Sequence, residues 1–204
     1  MSQIAPAFEE TTPRKMERLL RMIVETSFHV SAEPIYPLAS GSLSKYYIDC
    51  KIALSHPEVR ELIGDLILDQ VSSEDLDAVG GLALGAYPIA VAVSDALYRR
   101  CGKAIRAYVV RKEPKAHGLK KHIEGHVSPG DRVLIVDDVI TSGKSTKDAI
   151  TRSRDEGLNV VRAIALIDRQ ELGGANRIRN SRVPLNTLFT LQSLVDMQGT
   201  LVEK

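Results

Sequence analysis

The chain has 204 residues, enough for one domain of about 100–200 residues or one with a small appendage. Hydrophobic residues make up 44% and charged residues 26%, which is globular composition and excludes a disordered chain. Lys plus Arg number 27 against 26 Asp plus Glu, and aromatics are 4% with no Trp; neither non-specific nucleic-acid binding nor an extended base-stacking platform is expected.

The N-terminus, Met-Ser-Gln-Ile-Ala-Pro, lacks the basic stretch and apolar run of a signal peptide. No apolar run approaches the roughly 18–20 residues of a spanning helix, so a soluble cytoplasmic protein is expected. Residues 13–27 read as an amphipathic helix, with Thr12 as its cap, Pro13 at its start, and Leu19, Leu20, Ile23 and Val24 as its stripe. Ser40, Gly41 and Ser42 make a turn before a strand at Tyr46-Tyr47-Ile48. A second helix spans 57–71, with Val59, Leu62, Ile63, Leu66 and Ile67 on one face. The two cysteines, Cys50 and Cys101, are too few for a disulfide framework or a four-thiolate metal site and read as reduced thiols.

From residue 78 strands alternate with helices: strand 78–84, helix 87–100, strand 105–111, a basic loop 112–126, strand 133–136, helix 143–156 and strand 160–167. Such alternation predicts an α/β fold, a central parallel sheet flanked by helices with right-handed crossovers. Ligands of such sheets bind beyond the carboxyl ends of the strands. Residues 168–182 read as polar loop, and 187–204 as a segment returning to the N-terminal part. The expected organisation is a helix and hood over 1–77, an α/β core over 78–170, and a C-terminal segment over 171–204 packing on the hood.

The run Val133-Leu134-Ile135-Val136-Asp137-Asp138-Val139-Ile140-Thr141-Ser142-Gly143-Lys144-Ser145-Thr146 carries the chemistry. A buried strand leads to two adjacent carboxylates, and a turn of small hydroxyl residues opens a helix. Backbone N–H groups at that helix start, with the positive end of its dipole, can cradle a phosphate. Thr141, Ser142 and Ser145 add hydroxyls, and Gly143 permits close approach. Asp137 and Asp138 can accept from hydroxyls or partner magnesium. A phosphate at one end and a diol nearby describe a ribose 5-phosphate. Gly143-Lys144-Ser145 is not a Walker A loop, because Asp138 stands where that loop needs glycine; Gly80, Gly81 and Gly85 do not fit the dinucleotide fingerprint.

The run 133–146 resembles the phosphoribosyl-pyrophosphate (PRPP) motif of type I phosphoribosyltransferases. Arg111-Lys112-Glu113-Pro114-Lys115-Ala116-His117-Gly118 resembles the catalytic loop of the orotate phosphoribosyltransferase family. Residues 111–126 hold five Lys/Arg and three of the five histidines, a basic arm suited to a pyrophosphate leaving group. Leu38–Gly41 with Ser44–Asp49, Gly80–Ala92 and Ile167–Glu171 resemble further segments of that family, so the likeness covers about 38–174.

The resemblance implies transfer of the 5-phosphoribosyl group from PRPP to orotate, giving orotidine 5′-monophosphate and pyrophosphate in pyrimidine biosynthesis. It implies magnesium held mainly through PRPP, and a homodimer whose catalytic loop is shared across subunits. Lys112, Lys115, His117, Asp137 and Asp138 would be catalytic. PRPP would meet these together with Arg111 and the stretch Val139, Ile140, Thr141, Ser142, Gly143, Lys144 and Ser145. Orotate would meet Thr141, Arg169, Tyr46 and Tyr47. A bidentate Arg169 suits a planar carboxylate, which orotate has and a purine base lacks. The alternative for Arg169 is a structural ion pair with Asp168 or Glu171, and for the two tyrosines simple packing. Ala39 stands where several members carry lysine, with Lys45 and Lys51 as candidate replacements. Transfer to another nucleobase, and a PRPP-sensing regulator, are the competing functions.

Overall fold

The computed structural model describes residues 10–38, 41–113 and 122–202. Helix α1 (Thr12–Ser27) starts one residue before the expected point, with Thr11 at the cap position and Pro13 in the first turn. Thr12 does not cap it; its hydroxyl donates to Asp69 at 2.9 Å. Leu19, Ile23 and Val24 are buried, and Lys15 crosses to Asp65 at 2.6 Å.

Strand β1 (Phe28–Val30) follows directly. Strands β2 (Tyr36–Pro37) and β3 (Leu43–Ser44) form a small antiparallel pair, and β4 (Tyr46–Ile48) pairs antiparallel with β1. A short helix that the periodicity does not reveal, α2 (Cys50–Ser55), is capped by Asp49, whose side chain accepts from Lys51 N. The Ser27 hydroxyl accepts from Ala53 N at 2.9 Å inside the core, tying α2 to the end of α1. Helix α3 (Pro57–Val71) starts on proline and buries the expected face.

The central sheet begins with β5 (Ala78–Leu82), buried throughout. Helix α4 (Ala86–Cys101) ends on Gly102 at φ 67°, the left-handed cap that glycine adopts without a Cβ penalty. Gly64 of α3 faces the Ala92 carbonyl and the Ala96 side chain of α4, so small residues let these helices approach closely. Strands β6 (Arg106–Val110) and β7 (Ile123–Glu124) pair antiparallel; β7 lies inside the expected loop, where Ile123 is buried. Strand β8 (Arg132–Ile140) runs past the apolar stretch through both acids. Helix α5 (Lys144–Asp155) and strand β9 (Asn159–Asp168) complete the expected alternation.

The remaining chain is more ordered than its polarity suggests. Helix α6 (Gly174–Arg179) lies within the expected loop and buries Ile178. Strand β10 (Leu185–Thr190) joins the central sheet parallel to β9, and helix α7 (Leu191–Val202) lies against α1. The sheet order is β10-β9-β8-β5-β6-β7, parallel except for β7. One buried cluster joins α1–α4 to one face of this sheet; a second on the other face contains Tyr108, Val133, Ile135, Ile150 and Ile178. The type I phosphoribosyltransferase architecture implied by the sequence is the one observed. No helix among the described residues is long and apolar enough to cross a membrane.

Candidate active site

The chain leaves β5 toward β6 on one side, and then returns to place β8 on the other. This reversal makes the carboxyl ends of β5 and β8 the natural ligand crevice. The pairing register shows how it opens: β5 and β8 pair from Ala78↔Val133 to Gly80↔Ile135, and no further. Beyond that point β8 keeps β9 as its partner up to Ile140↔Asp168. The acids therefore sit on a strand whose β5 side has parted.

A cavity of about 330 Å³ lies there, lined by Leu82, Ala83, Leu84 and Gly85 from the β5–α4 turn, Asp137 and Asp138 from β8, Ser145 from α5, and Lys51 and Lys112. Alternation along β8 sends the two carboxylates different ways. Asp137 is 4% exposed; it accepts from the Thr146 hydroxyl at 2.6 Å and from Asp138 N at 3.1 Å. Burial, with the Asp138 charge beside it, pushes its pKa up from 3.8 to about 7. Asp138 is half-buried, accepts from Val139 N at 3.0 Å, and lies over Gly85.

Gly85 has no room for a side chain, since a Cβ there would collide with the Asp138 carboxylate. Gly85→Ala must displace that carboxylate, so kcat/KM should fall by about 10–100-fold, the usual cost of a misplacement near 1 Å. Steady-state kinetics check this; undiminished activity would place Asp138 outside the site.

Thr141 and Ser142 are half-buried, Gly143 is buried, and Lys144 and Ser145 are exposed. Gly143, at φ 69°, precedes α5, whose first turn has no side-chain cap, and its backbone N–H groups face the loop. A Cβ on Gly143 would sit 2.5 Å from the Gly174 carbonyl. Gly174 in turn lies against the Thr141 carbonyl and Ile140. Close backbone packing of these two loops thus fixes the 141–145 turn from behind. Val139 is half-buried, and Ile140 is 1% exposed with its carbonyl accepting from Arg169 N at 2.9 Å, so Ile140 packs beneath the turn and presents no free group to a ligand.

Arg111 is held at the base of the 111–122 segment: its guanidinium donates to Glu124 at 3.3 Å, and its N–H to the His122 carbonyl at 2.8 Å. Lys112 is exposed at the cavity mouth. Lys115 and His117, like Ala39, lie outside the described residues. Of the two candidate replacement lysines, Lys51 lines the cavity; there the Asp49 carboxylate, 2.5 Å away, holds its ammonium pKa above the ordinary value.

Arg169 immediately follows β9 and is 5% exposed. Its guanidinium donates to Glu171 (Nε–Oε2 2.9 Å, Nη2–Oε1 3.4 Å), to the Ser44 hydroxyl at 3.1 Å, and to the Tyr46 carbonyl at 3.4 Å. Of the two carboxylates next to it in sequence, it thus pairs with Glu171; Asp168 accepts from Gln170 N instead. The Tyr46 ring stacks on Phe28, while Tyr47, 44% exposed, stacks on Tyr36 and His29. β4 and the end of β9 therefore meet at the guanidinium. Thr146, nine positions beyond the carboxylate it binds, was not picked out as a site residue, whereas Lys51, one of the two candidate replacement lysines, reaches the cavity from the hood.

The model of the phosphoribosyl transferase domain matches residues 52–192. The orotate phosphoribosyltransferase of Aquifex aeolicus is 42% identical over 179 residues, 88% of this chain and 97% of that protein. The solved structure of Mycobacterium tuberculosis H37Rv orotate phosphoribosyltransferase with Fe(III) dicitrate superposes with a TM-score of 0.76 at 34% identity, covering 88% of this chain and 98% of that one. The structure of the same enzyme in complex with PRPP superposes with a TM-score of 0.70 at 29% identity, covering 88% and 91%. With the split β5–β8 crevice, the paired acids and the glycine-shaped turn into α5 all in this frame, the chain belongs to the phosphoribosyltransferases and, among them, to the orotate phosphoribosyltransferase family.

Proposed function

We propose that the protein transfers the 5-phosphoribosyl group of PRPP to orotate, forming orotidine 5′-monophosphate and pyrophosphate in pyrimidine biosynthesis. The observation that carries this reading is a cavity with paired carboxylates on one wall and an uncapped helix start on another. The 5-phosphate takes the backbone N–H groups of 141–145, with the Thr141, Ser142 and Ser145 hydroxyls around it. Asp138 accepts from the ribose hydroxyls, and Asp137, clamped by Thr146, supports it from the buried side. Lys112, Lys51 and the 111–118 segment, with Arg111, Lys115 and His117, face the pyrophosphate. The bond from the ribose anomeric carbon to the leaving oxygen breaks as orotate N1 closes on that carbon, and the N1 proton is released to water. The protein's part is alignment and stabilisation of charge on the departing pyrophosphate. The relative solved with PRPP bound supports this assignment.

Among the described residues no three His, Cys, Asp or Glu side chains cluster as a metal site. Two carboxylates beside a phosphate cradle suit magnesium, which commonly keeps waters and substrate oxygens with one or two carboxylates. Magnesium bound through PRPP would neutralise pyrophosphate charge, and Asp138 would be the carboxylate that helps hold it. The reading includes a homodimer that shares the 111–118 segment across its subunits, working in the cytoplasm.

Arg169 supports orotate as the acceptor, since its planar fork matches a carboxylate and it already holds one. Orotate, uracil, adenine and xanthine supplied separately with PRPP test this. Rapid pyrophosphate release with orotate and little with the others is expected; no turnover with orotate would overturn it.

A further inference from the structure

Arg169 pairs with an internal carboxylate in the very place where the proposed acceptor would bring its own. We propose that Glu171 is a specificity-determining residue of the acceptor pocket, a resident carboxylate that orotate must exchange off Arg169. The inference rests on the reading of Arg169 as the acceptor's arginine.

The two partners are unequal. The Arg169 side chain is 5% exposed and anchored by Ser44 and Tyr46, whereas the Glu171 side chain is 29% exposed. The carboxylate therefore has a route to water that the guanidinium lacks. The backbone around it is unusual: Gln170 and Leu172 have φ of 57° and 52°, in the left-handed region, followed by Gly173 at 65°. For leucine this conformation is an outlier, and burial does not reward it, since Leu172 is 46% exposed. The Asp168 carboxylate fixes the turn by accepting from Gln170 N at 2.8 Å. The result is a tight reversal that folds Glu171 back onto Arg169 two residues earlier.

A buried guanidinium left unpaired is costly, and Glu171 removes that cost while the pocket lacks an acceptor. An incoming orotate replaces one carboxylate with another, so Arg169 stays paired throughout. A base without a carboxylate offers no such exchange; it meets either Glu171 in its path or an uncompensated charge. Glu171 thereby trades some orotate affinity for discrimination against neutral bases.

The test is steady-state kinetics of Glu171→Gln beside Arg169→Lys, with a fluorimetric melt for each. Glu171→Gln should lower the KM for orotate by about tenfold, as one competing buried charge pair is lost, and leave the KM for PRPP unmoved. Acetate should inhibit the variant competitively with orotate and spare the wild type, because the variant's arginine has no resident partner. An unchanged or raised KM for orotate in Glu171→Gln would overturn the proposal, marking Glu171 as support for the arginine. Arg169→Lys separates the two readings: it should raise the KM for orotate by about 100-fold. If it does not, the acceptor assignment of Arg169 fails; if it does while Glu171→Gln shows no gain, the exchange alone fails. Should Glu171→Gln not fold, a structure of the wild-type protein with orotate decides. Glu171 turned away and the orotate carboxylate on Arg169 is expected, and Glu171 still paired there would overturn the exchange.

Discussion

Replacing Asp137 and Asp138 together by asparagine is expected to lower turnover by about a thousandfold or more, the scale reached when preorganised charge at a reacting centre is removed. The fold should survive. Asp137 is buried in a predominantly apolar strand and resists ionisation there, so a neutral amide of the same shape suits the site. The pH dependence of stability makes the distinction measurable. Asp137 has its pKa raised from 3.8 to about 7 in the folded protein. Between those values the native state holds a proton that the unfolded chain has released, so this group's contribution falls as pH rises through the window. The single variant Asp137→Asn lacks this loss. Its melting temperature relative to wild type should climb from pH 4 to pH 7 and level off above. A difference that is flat with pH would mean that folding leaves the Asp137 pKa unraised, and full activity of the double variant would remove both acids from the site.

Lys115→Ala is expected to lower kcat by about 100-fold with little change in orotate binding, because its partner charge grows toward the transition state. The residue lies outside the described structure, but both ends of its segment are placed. Arg111 is fixed to β7 through His122 and Glu124, and Lys112 stands at the cavity mouth. If the segment serves the neighbouring subunit, equal mixing of Lys115→Ala with Asp137→Asn subunits should restore roughly a quarter of wild-type activity. Half of the dimers are then mixed, and each has one intact site. A mixture no more active than its parents would argue against sharing.

The PRPP motif was legible because its chemistry is local. An apolar strand, two acids, a glycine and a helix start follow one another within 14 residues, and folding only has to bend them. The core alternation was legible for a similar reason, as buried parallel strands and amphipathic helices each carry their own period. What escaped was decided by distant partners. Strand β7 exists because Val109 and Val110 pair with it, and β10 because β9 offers an edge. The short helices α2 and α6 hold too few turns to show a stripe. At the site, sequence supplied Arg169 and two neighbouring acids. The backbone reversal at 170–173 is what selects Glu171 over Asp168. The split of β5 from β8, which turns a strand end into a cavity, depends on register and has no local signature.

The most direct measurement is a crystal structure of the protein with orotidine 5′-monophosphate. The nucleotide's phosphate should lie within hydrogen-bond distance of the backbone N–H groups of residues 141–145, with its ribose hydroxyls at Asp138. A phosphate bound away from that turn, with the α5 start untouched, would contradict the account.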